Sequence, residues 1–179
     1  ASRLSFFLWG TVPDADLLKV MQTRRWRWYS PVSHFWDHSG LYAEPIFLGD
    51  LDRVSRVYMD RGFIRVAIGQ PEVEVGDDGI EVEVELVEGP QFSVGRIDVI
   101  GDDTMDRDQL LKEVKLQPAA VFSRGTLSDD VERLKGYYQD RGFFDASVDP
   151  ATQVKPDDLA VDVTFEVEAD TGWDQDSGN

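Results

Sequence analysis

The feature that most constrains this chain is an internal repeat with a spacing of 80 residues. "YMDRGF" occupies residues 58–63, and "YQDRGF" occupies residues 138–143. Apolar residues before each copy repeat as well, at the spacings of four, three and four that place side chains on one face of a helix. They are Phe47, Leu51, Val54 and Tyr58 in the first half and Leu127, Val131, Leu134 and Tyr138 in the second. The sequence therefore predicts the same amphipathic helix twice, in two copies of a small module.

The repeated motif is typical of a helix end. A glycine at residues 62 and 142 suits a helix that closes in the left-handed conformation. The arginine before it is predicted in the last helical turn, where a cation meets the negative end of the helix dipole. Thr126 and Asp129 predict a capping box at the start of the second helix. We assign a structural role to Tyr58, Arg61, Gly62, Phe63, Tyr138, Arg141, Gly142 and Phe143.

Extended segments follow both copies of the motif. Residues 63–75 and 143–155 are interrupted by Pro71 and Pro150, and they are predicted to be edge strands because proline cannot donate to a sheet ladder. A turn signal and a run of alternating apolar and polar residues follow each segment. A strand and a short helix precede each shared helix. The order strand, helix, helix, strand, strand predicts an α+β fold with two tandem units.

Composition limits the classes of partner. The chain has 18 Lys and Arg against 35 Asp and Glu, a net charge of −17, which argues against nucleic acid as a partner. Hydrophobic residues make up 41% of the chain, enough for a core. The absence of cysteine excludes disulfides and thiolate metal sites. The apolar run "FFLW" is far too short to cross a bilayer, so we expect a soluble, folded piece of a longer protein.

Two longer stretches resemble a known family. "EGPQFSVGRIDVIG" at residues 88–101 and "VFSRGTLSDDVERLKGYYQDRGFFDASV" at residues 121–148 resemble POTRA (polypeptide-transport-associated) domains of bacterial BamA-type outer-membrane protein assembly factors. The resemblance implies two POTRA units, each a three-stranded mixed sheet covered by two helices. We expect units at residues 1–89 and 90–170, with residues 171–179 as a tail or the start of the next unit. The pair is expected in the middle of an array, as units two and three.

The resemblance also implies a function. POTRA arrays of this kind are expected in the periplasm, ahead of the membrane β-barrel of a bacterial outer-membrane protein. Their implied clients are unfolded outer-membrane β-barrel proteins, their implied partners are accessory lipoproteins, and no catalysis, cofactor or metal is implied. The expected mechanism is β-augmentation, in which an extended guest adds a strand to a sheet edge. The residues predicted at such edges are Phe144, Ala146 and Val148 in the second unit and Val66 and Ile68 in the first.

An aromatic-rich insert at about residues 22–46 distinguishes the first unit. One interpretation is a satellite core that covers the helices. Another is a docking surface for a folded partner, because Trp, Tyr and Arg dominate binding hot spots. Contact of "RRWRW" with anionic lipid is weaker, since the first unit carries nine basic against fifteen acidic residues. The predicted docking residues are Arg25, Trp26, Trp28, Tyr29, Phe35 and Trp36.

Enzyme and metal signals are weak. His34 and His38 are spaced to share a helical face and bind a metal, but a proline and a glycine flank them, which favours packed or solvated histidines. The acidic pairs at residues 102–103 and 129–130 suit turns and helix starts. Two functions remain: a scaffold that receives unfolded strands, and a docking platform for folded partners with little client contact. A POTRA pair of a related secretion or translocation barrel is a further alternative.

Overall fold

The computed structural model describes residues 3–7, 12–23, 44–76, 79–101 and 104–169. The chain divides into two compact units. The first consists of Ala1–Met59 and Phe63–Pro90, and the second of Asp60–Gly62 and Gln91–Asn179. Each unit has its own sheet.

The first unit contains seven described elements. They are β1 (Arg3–Phe7), α1 (Asp14–Val20), α2 (Glu44–Met59), β2 (Ala67–Ile68), β3 (Glu72–Gly76), β4 (Gly79–Glu83) and β5 (Leu86–Val87). The sheet order is β1-β4-β3, with β1 parallel and β3 antiparallel to the central β4. β2 and β5 form a second short antiparallel ladder. Between the two ladders, residues 69–71 face residues 84–85, so the extra residue makes a bulge that accommodates Pro71.

The second unit contains five described elements. They are β6 (Ser93–Ile100), α3 (Arg107–Glu113), α4 (Arg124–Gln139), β7 (Ser147–Lys155) and β8 (Ala160–Glu168). The sheet order is β6-β8-β7, with β6 parallel and β7 antiparallel to the central β8. Helix α3 packs on β6, and α4 packs on β7. The predicted α+β class and the mixed three-stranded sheet with two helices are confirmed.

Each core is built from the apolar stripe of the long helix and one face of the central strand. In the first unit Phe47, Val54, Tyr58 and Val82 are almost fully buried. In the second unit the corresponding buried residues are Leu134, Tyr138, Val161, Val163, Phe165 and Val167. The alternation predicted for the closing strands therefore has one buried face, as expected for a sheet covered on one side.

The two long helices end in the same way. Gly62 has φ +84° and Gly142 has φ +94°, which confirms the left-handed helix stop. The N–H of Phe63 donates to the Tyr58 carbonyl oxygen at 3.0 Å, and the rings of the two residues meet edge to face at 5.8 Å. The second copy repeats the bond at 3.1 Å and the ring contact at 6.0 Å, between Tyr138 and Phe143. The motif is therefore a helix stop that also fixes an aromatic pair.

Three local predictions need correction. The N-cap of α4 is Ser123, whose Oγ accepts the Thr126 N–H at 3.1 Å, so the predicted capping box at Thr126 begins too late. Arg61 and Arg141 lie in the turn after their helices and not in the last helical turn. The predicted edge strands are also too long, because residues 63–66 and 143–146 form turns before β2 and β7 begin.

Candidate functional site

The longest free sheet edge in the described chain is β7. It pairs with β8 at all nine of its residues, from Ser147 opposite Glu168 to Lys155 opposite Ala160. Within the described residues, no strand pairs with its other side. The outward N–H and C=O groups of such an edge are available to another chain.

Pro150 indicates which backbone groups of β7 point outward. In an antiparallel pair, alternate residues bond to the neighbouring strand and the residues between them point away. A proline is accommodated in an edge strand where its nitrogen faces away from the neighbour. Pro150 lies within the unbroken ladder opposite Phe165. The outward groups are therefore those of Val148, Pro150, Thr152 and Val154, with one donor missing at the proline.

The opposite edge of the second sheet is partly covered. The N–H of Val94 donates to the Ala120 carbonyl oxygen at 2.8 Å, and its carbonyl oxygen accepts the Ala119 N–H at 2.8 Å. The N–H of Phe122 donates to the Phe92 carbonyl oxygen at 3.0 Å. The segment before α4 thus occupies the first part of the β6 edge, whereas β7 stays open along its whole described length.

The predicted edge residues have different environments. Phe144 lies in the turn before β7 and is 76% exposed. Ala146 and Val148 are buried, so their side chains belong to the core and position the strand from within. Val66 and Ile68 are half-buried against the core of the first unit. A guest strand would therefore meet the backbone of the edge and not these core-facing side chains.

A second free edge belongs to the first unit. β3 pairs with β4 and, within the described residues, has no strand on its other side. All five of its residues are exposed, including Val75 at 79%. This edge is shorter than β7 and carries a larger net charge, with glutamate at positions 72 and 74.

The anchoring of β7 depends on a carboxylate. Asp162 of β8 accepts the Arg96 N–H at 2.7 Å, and its Oδ2 lies 2.5 Å from Lys155 Nζ at the end of β7. The hydrogen bond from Lys155, followed by that from Arg96, holds the pKa of Asp162 below its ordinary value of 3.8. The sheet register shifts between Val94 and Ile97, and a Cβ at Gly95 would lie 2.2 Å from Asp162 Oδ1. Asp162 therefore joins the bulge in β6 to the last residue of the free edge.

Sequence reasoning missed a second repeated contact. Buried Asp50 accepts the N–H groups of Gln22 and Thr23, both at 2.7 Å, and lies 2.6 Å from an Arg53 guanidinium nitrogen. The first two donors follow α1, so the carboxylate ties the exit of the short helix to the long one. The sequence feature that could have revealed this contact was an acidic residue, Asp50, on the apolar face of α2.

The second unit repeats this contact 80 residues later. Buried Asp130 accepts the N–H groups of Lys115 and Leu116, both at 2.9 Å, and pairs with Arg133. The order Asp-x-x-Arg at residues 50–53 and 130–133 was therefore visible beside the repeat. The role of the aspartate was not visible in the sequence, because the backbone N–H groups that donate to it lie on another element.

The docking residues Arg25, Trp26, Trp28, Tyr29, Phe35 and Trp36, and the histidines at positions 34 and 38, lie outside the described residues. Among the residues that are described, no group of three or more His, Asp or Glu side chains is arranged to hold a metal. The helices in that same part of the chain are all too short or too polar to span a membrane.

Comparison with known families identifies the second unit. Residues 92–170 match the family model POTRA, described as "Surface antigen variable number repeat". This match lies within the second unit and covers less than half of the chain. The described part of the first unit has the same strand arrangement in its three-stranded mixed sheet, together with the additional short ladder of β2 and β5.

Curated relatives connect the chain to BamA-type proteins. It is 24% identical over 154 residues to the outer membrane protein assembly factor BamA of Nitratidesulfovibrio vulgaris, an alignment that covers 84% of the chain and 19% of that relative. It is 30% identical over 115 residues to a putative outer membrane protein assembly factor of Treponema pallidum, covering 61% of the chain and 14% of the relative. The BamA-type resemblance is confirmed, and the chain spans less than a fifth of either relative.

Solved structures show the same fold. The chain matches POTRA units 3–5 of Haemophilus influenzae BamA with a TM-score of 0.64 at 18% identity, covering 92% of this chain and 64% of that one. It also matches POTRA units 1–2 of the periplasmic domain of Omp85 from Anabaena, with a TM-score of 0.53 at 15% identity and 92% coverage of both chains. The expected location, a periplasmic part of a bacterial outer-membrane protein, agrees with the family match and the curated relatives taken together with this fold.

Proposed function

We propose that this POTRA pair is a polypeptide-binding scaffold of an outer-membrane protein assembly machine. Its clients are unfolded outer-membrane proteins, which it receives by β-augmentation at the free edge of β7. The observation that supports this most directly is a nine-residue edge strand, fully paired on one side and open on the other within the described chain. The relatives named as assembly factors support the choice of client.

The length of β7 suits such a client. A membrane-spanning β-strand has about 9–11 residues, and β7 has nine. At about 3.3 Å per residue, an edge of this length pairs with roughly 30 Å of extended guest. Backbone hydrogen bonds do not depend on the guest's side chains, so one edge serves many client sequences.

Docking of accessory subunits is the second part of the proposal. We assign the aromatic-rich insert to the binding of folded partners, because Trp, Tyr and Arg supply most of the binding free energy of protein interfaces. The second unit carries nine basic and twenty acidic residues, so a basic partner surface would be steered toward it. Binding of the client and docking of a partner therefore use different residues.

The test is an amide NMR titration with a nine-residue extended peptide whose sequence follows an outer-membrane β-strand. We expect shifts concentrated along residues 147–155. The variant Thr152→Pro removes one outward N–H while leaving the bonds to β8 in place, so it should stay folded and bind several-fold more weakly, by about the contribution of one hydrogen bond. Thr152→Ala removes the side chain alone and serves as the matched control. Equal binding by the folded proline variant, or silence along residues 147–155, would contradict the proposed mechanism.

A further inference from the structure

The β3–β4 hairpin of the first unit has an unusual arrangement of charge. Glu72 lies directly opposite Glu83, and Glu74 lies directly opposite Glu81. All four side chains are exposed, and none joins an ion pair with another of the described residues. Like charges directly across a ladder destabilise the pairing of the strands. The hairpin therefore holds four uncompensated carboxylates on one face, beside a free strand edge.

The other face of the same edge is apolar and incompletely covered. Val73 lies opposite the fully buried Val82, and Val75 lies opposite the half-buried Ile80. Val73 is 40% exposed and Val75 is 79% exposed, so the apolar face of the sheet runs past the core to its open margin. A strand added beside β3 would cover these two valines with its own side chains on that face.

We propose that the β3 edge binds an extended polypeptide segment in which basic and apolar side chains alternate. This inference rests on the proposed function and adds a side-chain preference to it. Successive residues of a strand point to opposite faces. A guest beside β3 thus places every second side chain next to Glu72 and Glu74, and the others next to Val73 and Val75. Lysine or arginine on the first face compensates the carboxylates, and an apolar residue on the second extends the core.

The β7 edge provides a contrast within the same chain. Its side chains on the face away from the core are Ser147, Asp149, Ala151, Gln153 and Lys155, which include one acid and one base. Lys155 already pairs with Asp162. On the edge strand itself, a guest at β7 meets one acid and one base, whereas a guest at β3 meets two glutamates. Across the ladder, the second sheet has one opposed acidic pair, Asp149 and Glu166, and the β3–β4 hairpin has two. The two edges therefore differ in the clients that they favour.

Three nine-residue peptides test the preference by amide NMR titration of the whole chain. In the first, lysine and valine alternate; in the second, glutamate replaces lysine; in the third, the composition of the first is kept but the lysines are grouped. We expect the alternating lysine peptide to shift residues 72–76 and to bind there about tenfold more tightly than the glutamate peptide at low salt. The ratio should shrink in high salt, since exposed charges are screened.

A pair of variants locates the charge that matters. Glu74→Gln with Glu81→Gln removes one opposed pair, relieves repulsion, and should leave the protein folded with a reduced lysine preference at β3. Glu166→Gln is the matched control, because Glu166 is an exposed carboxylate on the central strand of the other sheet, opposite Asp149. It should leave the preference at residues 72–76 unchanged.

The outcomes separate this inference from the proposed function. Equal affinity of the alternating lysine and glutamate peptides at β3 overturns the inference. Equal affinity of the grouped and alternating lysine peptides also overturns it, because the attraction would then depend on charge and not on strand pairing. Shifts confined to residues 147–155 keep the proposed function and overturn the preference at β3. Silence at both edges with a folded protein overturns both.

Discussion

Single residues fix the ends and joints of each unit. Gly62 and Gly142 stop the long helices, and Asp50 and Asp130 tie the short helices to them. The glycines were predictable because the left-handed conformation excludes most side chains locally. The role of the aspartates was not predictable, because it depends on backbone donors that lie 14 or more residues away in sequence.

Two glycines near the end of α4 should respond oppositely to the same substitution. A Cβ added at Gly136 or Gly142 would have no heavy atom within 4 Å outside the adjoining backbone. The backbone conformation alone therefore decides the effect of each substitution. Gly142→Ala places a side chain at φ +94° and should cost about 1 kcal/mol. Gly136→Ala lies inside the helix and should stabilise by about 0.5–1 kcal/mol. Chemical denaturation measures both, and equal effects would show that the helix stop is not strained.

Removing the buried aspartate should be costly. Asp130→Ala leaves the N–H groups of Lys115 and Leu116 without their acceptor and Arg133 without its partner. We expect a loss of about 3 kcal/mol, since an orphaned buried donor costs about 1–3 kcal/mol. Asp129→Ala, at the exposed neighbouring position, should change stability by less than about 0.5 kcal/mol. Urea unfolding compares them, and similar losses for both would contradict the role of Asp130.

At the scale of elements, the free strands and their supports define the proposed binding edges. β7 and β3 are edges because each lies at one end of the strand order in its mixed sheet. Their real extents differ from the predicted ones, since a turn at residues 143–146 delays β7 and a bulge at residues 69–71 divides β2 from β3. Proline marked both strands correctly as edges, but where pairing begins depends on the neighbouring strand.

The anchoring of β7 should depend on pH through Asp162. Its folded-state pKa lies below the ordinary value of 3.8, so the ionised carboxylate stabilises the fold above about pH 4, and this stabilisation is lost as the pH falls through the folded pKa. Asp162→Asn should therefore be less stable than the parent at pH 7, with a difference that closes in acid. Unfolding free energies measured from about pH 7 down to about pH 2.5 test this.

Asp157, an exposed residue in the turn between β7 and β8, supplies the control. Asp157→Asn should follow the parent within about 0.5 kcal/mol at every pH. A constant gap between Asp162→Asn and the parent across the whole range would assign the effect to packing and not to charge.

At the scale of the whole molecule, most of the fold was predictable and much of the site was not. The repeat, the helix stripes and the strand alternation are local patterns, so they predicted two α+β units. Alternation shows which residues share a face but not which face is covered, and so Ala146 and Val148, predicted at a binding edge, prove to be core residues. The register that sets Glu74 against Glu81 is a tertiary fact that neither strand reveals alone.

The opposed glutamates also determine which strand the β3 edge rejects. A second copy that approached this edge with its apolar face on the same side would set its own glutamates beside Glu72 and Glu74. Repulsion would then extend across three or four strands, and open edges that pair with themselves are the usual origin of fibres. The opposed glutamates therefore disfavour both pairing of this edge with a second copy of the chain and the growth of fibres from it.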